Sequence, residues 1–207
     1  MHLVVGQAAT SISSISGTAS FGGTATLTAT LTSSATNLPI AGETLNFSLD
    51  GKVVGAAVTS SSGVATLSGV ATTDPAGSHA GVVSVSFAGN SNYDASTGTG
   101  NLVVSAAATT LSSVSGSGSS APGGTVTLVA TLTSNVTAKP IEGETITFLL
   151  GTSPTPAGTA TTAANGIATL SGVSNAGLTN GETVTATYSG SANYHGAADA
   201  KGTLTLS

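Results

Sequence analysis

Residues 24–32 read Thr-Ala-Thr-Leu-Thr-Ala-Thr-Leu-Thr. Ala25, Leu27, Ala29 and Leu31 fall on one side of this stretch, and Thr24, Thr26, Thr28, Thr30 and Thr32 on the other. Successive strand side chains point to opposite faces, so this unbroken period of two predicts a strand with one face buried and one in water. A second copy lies further on, with Val126, Leu128, Ala130 and Leu132 inward and Thr125, Thr127, Thr131 and Thr133 outward. Val129 interrupts the second outward row. Flat threonine arrays order water, but threonine is also a favoured strand residue and a twisted sheet is not flat. The rows are therefore read as strand chemistry.

Working outward from residues 24–32, the same alternation reappears in short runs. Ile12 to Ile15 opens the region, and Leu45, Phe47 and Leu49 alternate with Asn46 and Ser48. Lys52 to Val58 reads as a short edge strand after Asp50-Gly51, a dipeptide that marks a tight hairpin between apolar runs. Val64 to Val70, Val82 to Phe87 and Leu102 to Val104 complete the set. The second half follows with Ile146, Phe148 and Leu150, then Val184, Ala186 and Tyr188. No helical period occurs. About seven short strands per hundred residues, spaced by turn residues, is the pattern of an immunoglobulin-like sandwich. The fold class expected is all-β: two tandem immunoglobulin-like β-sandwich domains. Phe47 and Phe148 are the expected large core residues.

The repetition extends to whole segments. Pro39-Ile40-Ala41-Gly42-Glu43-Thr44 matches Pro140-Ile141-Glu142-Gly143-Glu144-Thr145, and Gly63–Val70 matches Gly166–Val173. The segment His2–Ile12 aligns with Asn101–Leu111, which joins the end of one repeat to the start of the next. The organisation expected is therefore residues 1–8 as the last strand of a preceding repeat plus linker, 9–105 as domain 1, 106–108 as a short linker and 109–207 as domain 2. On this reading the chain is an excerpt of a longer array. The Ala-rich linker has no Gly or Pro, so a semi-rigid connection is expected.

Composition excludes several classes of function. Charged residues make up 5% of the chain and only three are cationic, Lys52, Lys139 and Lys201. That leaves no footprint for nucleic acid or for an anionic membrane. There is no cysteine, which removes thiol chemistry and thiolate metal sites. Ser, Thr or Gly interrupts every apolar run, so no membrane insertion is expected. The opening Met1-His2 lacks the basic and apolar segments of a secretion signal.

The block Phe87-Ala88-Gly89-Asn90-Ser91-Asn92-Tyr93 and its counterpart Tyr188-Ser189-Gly190-Ser191-Ala192-Asn193-Tyr194 precede Leu-Val-Val and Leu-Thr-Leu strands. Together with Gly-Val-Ala-Thr-Leu and Gly-Ile-Ala-Thr-Leu, they resemble bacterial Ig-like domain repeats of the group-three type, over essentially the whole chain. The resemblance implies a module of large secreted or surface-attached bacterial proteins, with no fixed activity. Many members carry an acidic residue after the Gly of this block. Here Asn90 and Ser191 stand there, so no calcium site is carried over at that position.

No catalytic or cofactor-binding residue is identified. Nucleophilic catalysis needs a base held beside Ser or Thr, and His2, His79 and His195 each lack a counterpart in the other repeat. Calcium takes clustered carboxylates, which makes Glu142, Glu144, Asp94 and Asp199 the candidate positions. These carboxylates are expected to be solvated charges that keep their loops soluble. Lys201 aligns with Gly100, so no Lys–Asn crosslink common to both repeats is expected. Asn92-Tyr93 and Asn193-Tyr194 read as a structural corner, with Asn supplying left-handed turn geometry. The function expected is a structural spacer on the bacterial surface or outside the cell, whose partners are neighbouring Ig-like repeats. The alternative is an adhesin-type module for a cell-surface glycan or protein, with calcium stiffening as its variant; scarce aromatics, 3% of residues, favour the spacer.

Overall fold

The computed structural model describes residues 6–151 and 156–207. The expected strand Leu3–Val5, and with it His2, lies outside the described residues. The chain divides into two compact units, Met1–Ser105 and Ala106–Ser207.

In the first unit the strands are β1 (Thr10–Ser20), β2 (Thr24–Ser33), β3 (Thr44–Leu49), β4 (Lys52–Val58), β5 (Val64–Ala71), β6 (Gly77–Phe87) and β7 (Ser96–Ser105). The second unit repeats them as β8 (Thr109–Gly118), β9 (Thr125–Ser134), β10 (Thr145–Leu150), β11 (Gly158–Thr161), β12 (Ile167–Ser174), β13 (Thr183–Gly190) and β14 (His195–Leu206). Hydrogen bonding runs in the order β4-β3-β6-β7-β1-β2-β5, and in the second unit β11-β10-β13-β14-β8-β9-β12. Neighbours are antiparallel except β1 with β7 and β8 with β14, which are parallel. Two layers result, β1-β2-β5 and β4-β3-β6-β7, with the first strand shared between them. Asp50 and Gly51 both have positive φ, 51° and 75°, which is the backbone of the tight β3–β4 hairpin.

The inward residues of both layers close on one core. Leu27, Leu31, Leu45, Phe47, Val83 and Leu102 have no exposed surface, and in the second unit Leu128, Leu132, Ile146, Phe148, Val184 and Leu204 match them. Each unit is thus an immunoglobulin-like β-sandwich, and the chain is all-β with two in tandem.

Sharing the first strand requires a break in it. Ser14 and Ser113 adopt φ of 50° and 51°, and the β1–β2 register shifts between Ser13 and Ser16. Such a bulge re-aims the strand. Beyond it the backbone passes so close to the last strand that only glycine fits beneath. A Cβ on Gly100 would lie 2.0 Å from the Ile15 carbonyl oxygen, and one on Gly202 would lie 1.7 Å from that of Val114. Two positions earlier the units compensate. Ile15 Cδ1 would meet a Cβ on Gly98 at 2.5 Å, whereas the shorter Val114 is accompanied by Ala200.

Several expectations are corrected by this geometry. The last strand begins at Ser96, well before Leu102, because Gly98 and Gly100 belong under the first strand although they add no apolar side chain. Lys201 pairs with Thr185 and Thr99 with Ser84, so Lys201 corresponds to Thr99 and it is Gly202 that corresponds to Gly100. Within the stretches expected as linker, Ala107 is fully buried and bridged to Tyr194, and Ala8 is bridged to Tyr93.

Gly100→Ala is expected to destabilise the first unit by about 3 kcal/mol or more, since a backbone carbonyl cannot move aside as a side chain can. Gly6→Ala, which meets open space, is expected to leave the denaturation midpoint unchanged. Equal midpoints for the two variants would refute the close approach.

Candidate functional site

The loop entering β3 and the turn between β6 and β7 converge at one end of each unit. Glu43 starts this arrangement. Its backbone N–H donates to Thr59 Oγ1 at 3.0 Å, and its carboxylate accepts from Asn90 Nδ2 at 2.8 Å. Asn90 Oδ1 in turn accepts from the backbone N–H groups of Asn92 at 2.9 Å and Tyr93 at 3.0 Å, while the Asn90 N–H donates to the Tyr93 carbonyl at 2.9 Å. Gln7 Nε2 donates to the Asn90 carbonyl. Ala8 is clipped beside this turn, donating to Asn92 O at 2.8 Å and accepting from Asp94 N at 3.0 Å.

The second unit builds the same staple from different residues. Glu144 N–H donates to Thr162 Oγ1 at 3.0 Å, and its carboxylate accepts from Ser191 Oγ at 2.9 Å. Ser191 N–H donates to the Tyr194 carbonyl at 2.9 Å; Ala107 donates to Asn193 O and accepts from His195 N, both at 2.9 Å. Asn90 and Ser191, the residues that follow the turn glycine, are thus hydrogen-bond donors to a glutamate. The corner differs from expectation in its backbone. The left-handed residues are Gly89 (φ 77°) and Gly190 (φ 94°), and neither Asn92 nor Asn193 has positive φ. A Cβ on Gly89 would meet Ala95 N at 2.8 Å, so the turn closes too tightly for any other residue.

The four carboxylates considered for calcium are dispersed. Glu144 is engaged by Ser191. Glu142 is exposed in the loop before β10, Asp199 is exposed on β14, and Asp94 belongs to the other unit. Among the described residues no three His, Asp or Glu side chains gather as a metal site would require. His79 Nε2 lies 2.8 Å from the Pro75 carbonyl, and His195 opens β14 with an exposed side chain. The threonine rows spend part of their hydroxyls within the sheet, as between Ser16 Oγ and Thr28 Oγ1 at 3.0 Å. A hollow of about 320 Å³ lies in the first unit between the Asp50-Gly51 hairpin and Ala71–Thr73.

Sequence reading missed the buried hydroxyls of Thr59 and Thr162, which hold the two glutamate amides, and buried Asn175, whose Nδ2 donates to Ser119 O at 2.8 Å and Ala121 O at 2.7 Å. Each threonine follows an edge strand with no distinguishing signal beyond its matching place in both repeats.

No protein-family model matches the chain, and no curated protein matches it. Solved structures similar to it include the D0-D1 domain of intimin, at 18% identity over 95% of this chain and 99% of that one, with a TM-score of 0.31. Another is the Yersinia pseudotuberculosis adhesin InvE, at 18% identity over 94% of this chain and 58% of that one, with a TM-score of 0.33. A third is invasin, described as a bacterial integrin-binding protein, at 16% identity over 96% of this chain and 39% of that one, with a TM-score of 0.41. This chain therefore spans little more than half of the InvE structure and less than half of invasin's. No functional residue is carried across from these structures.

One titrating group offers a probe of the staple. Tyr188 is buried where the first unit has Phe87, and its hydroxyl reaches Ser191 Oγ at 3.4 Å. Burial pushes its phenol up from 10.0 to about 12. Burial also raises Tyr194. Below pH 10 the folded and unfolded chains both keep the proton, and the stability is fully present. Between pH 10 and about 12 the unfolded chain binds fewer protons, so stability falls as pH rises. Tyr188→Phe is expected to flatten this loss in denaturant titrations across that window. An unchanged slope would show that Tyr188 is not shielded.

Proposed function

We propose that this chain is a structural spacer: a pair of repeat modules from a larger bacterial protein at the cell surface or outside the cell, without catalytic activity. The supporting observation is how little chain is left between the units. Ser105 closes β7, and its carbonyl accepts from Phe21 N–H at 2.8 Å. Ala107 is already bonded to Asn193 and His195 of the next unit. Only Ala106 lies between these two anchor points, and one residue contributes just two soft dihedrals. Repeats joined in this way would set distance rather than search for ligands. The matching staples of the two units agree with this role, since a spacer needs the same mechanics in every repeat.

Cysteines introduced at exposed Thr66 and at its exposed counterpart Thr169 carry spin labels without competition, because the chain has no cysteine of its own. A narrow distance distribution is expected, broadened by a Gly-Ser insertion after Ala106. A distribution equally broad without the insertion would contradict the spacer reading.

No calcium is required in this account, so melting is expected to coincide with calcium and with chelator. A rise with calcium, abolished by Glu144→Gln or Asp94→Asn, would instead favour a calcium-stiffened adhesin module, because a ligand bound to the native state stabilises it by mass action.

A further inference from the structure

We infer that the first unit cleaves its own backbone between Asp74 and Pro75, with Asp74 as the nucleophile and His79 as the proton donor. The activity goes beyond the spacer reading and does not rest on it. It breaks one bond of the chain once and turns over no other substrate. Residues 72–76 join β5 to β6 and hold the only Asp-Pro bond in the sequence. At other Asp-X bonds the following backbone nitrogen attacks the side chain and closes a succinimide. Proline has no N–H, so here that route is shut and the carboxyl is left to attack its own carbonyl carbon. The loop holds the parts for this. Thr72 Oγ1 donates to Asp74 Oδ2 at 2.8 Å and accepts from the Asp74 N–H at 3.2 Å. One hydroxyl thus touches both the carboxylate and the amide of Asp74, which folds the side chain back along its own backbone. His79 Nε2 lies 2.8 Å from the Pro75 carbonyl. A carbonyl only accepts, so Nε2 carries the proton, and it rests on the residue whose nitrogen is to leave. Both ends of the loop are fixed by the sheet: Ala71 pairs with Thr24, and Gly77 to His79 pair with Val104 to Leu102.

The step balances without any outside reactant but water. An Asp74 carboxylate oxygen adds to the Asp74 carbonyl carbon. The bond from that carbon to the Pro75 nitrogen breaks, and its electron pair stays on the nitrogen, which takes the proton from His79. Water then opens the cyclic anhydride, restores the Asp74 side chain, leaves a new C-terminal carboxyl and returns a proton to His79. Thr72 and Thr73 border the hollow beside the Asp50-Gly51 hairpin, which gives water a way to the anhydride. Holding the reacting groups in place is what lets a bond this stable break at a useful rate. The second unit lacks every part: β12 is followed by Asn175-Ala176-Gly177-Leu178-Thr179, with no Asp, Pro or His. Once cut, the two pieces stay together in the fold, because β6 remains paired with β3, and β7 with β1. The first unit becomes a joint without covalent continuity, which comes apart only when that unit unfolds.

Incubation of the purified full chain at neutral and mildly acidic pH tests this, read by denaturing electrophoresis and by the mass and N-terminal residue of the products. Two fragments are expected, ending at Asp74 and beginning at Pro75, while the native protein keeps its size. In urea strong enough to unfold the chain, at the same pH, cleavage is expected to be at least about tenfold slower, since the held geometry is lost. Asp74→Ala should abolish it, and Asp74→Glu, which must close a larger ring, should nearly do so. His79→Gln keeps a donor for the Pro75 carbonyl but has no proton to give. It should slow cleavage on the order of a hundredfold with the melting temperature unchanged. Thr72 is a positioning residue, so Thr72→Ser should retain cleavage and Thr72→Val should slow it. No fragments from the folded chain, equal rates in buffer and urea, an unaltered rate in His79→Gln, or the same fragments from Asp74→Ala would each overturn the inference. None of these results depends on the distance between Thr66 and Thr169, so failure of the spacer reading would be seen separately.

Discussion

In each unit the first strand has to pass within contact distance of the last, with the Ile15 carbonyl over Gly100 and the Val114 carbonyl over Gly202. That approach lets one strand hydrogen-bond to β2 on one side and to β7 on the other, and so join two layers that would otherwise meet only through side chains. The bulge at Ser14 supplies the turn in direction, and glycine supplies the space. Given both, Leu27, Leu102 and Val83 close around Gly17, where even a methyl group would meet Leu27 Cδ2 at 2.7 Å. The core is small in residue size yet tightly filled, which suits a chain with few aromatics.

The parts of this design that rest on alternation were legible in the sequence. The threonine-alanine-leucine period of β2 located a buried face, Asp50-Gly51 located a hairpin, and the matching segments of the two halves divided the chain. The parts that rest on close backbone contact were not. Gly98 and Gly100 add nothing to the alternation because their contribution is an absence of side chain, and so the sequence predicts the strand they belong to only from Leu102. Ala107 read as linker because a lone alanine carries no pattern. Its burial comes from hydrogen bonds to Asn193 and His195, far away in sequence.

The glutamate staple shows the same limit from another side. Glu43 and Glu144 were visible as matched residues, and the notable substitution beside the turn glycine was visible as Asn90 and Ser191. That these positions meet could only be seen in the fold. Two chemically different donors serve one acceptor: a carboxamide also able to bond Asn92 and Tyr93, and a hydroxyl within reach of Tyr188. The geometry of the turn is kept while the residue varies. A pair of carboxylates at such a place would repel unless a cation lay between them, and neither unit has that pair.

The central claim is that each unit begins at its clipped alanine, so that the path from one repeat to the next contains a single unbonded residue. Site-resolved amide hydrogen exchange addresses this directly. The account predicts slow exchange at Phe21, bonded to Ser105, and at Ala107, bonded to Asn193, comparable with the core strands, and fast exchange at Ala106 between them. Exchange at Ala107 as fast as at Ala106 would contradict it, because the clip would then be open and the connection a flexible tether.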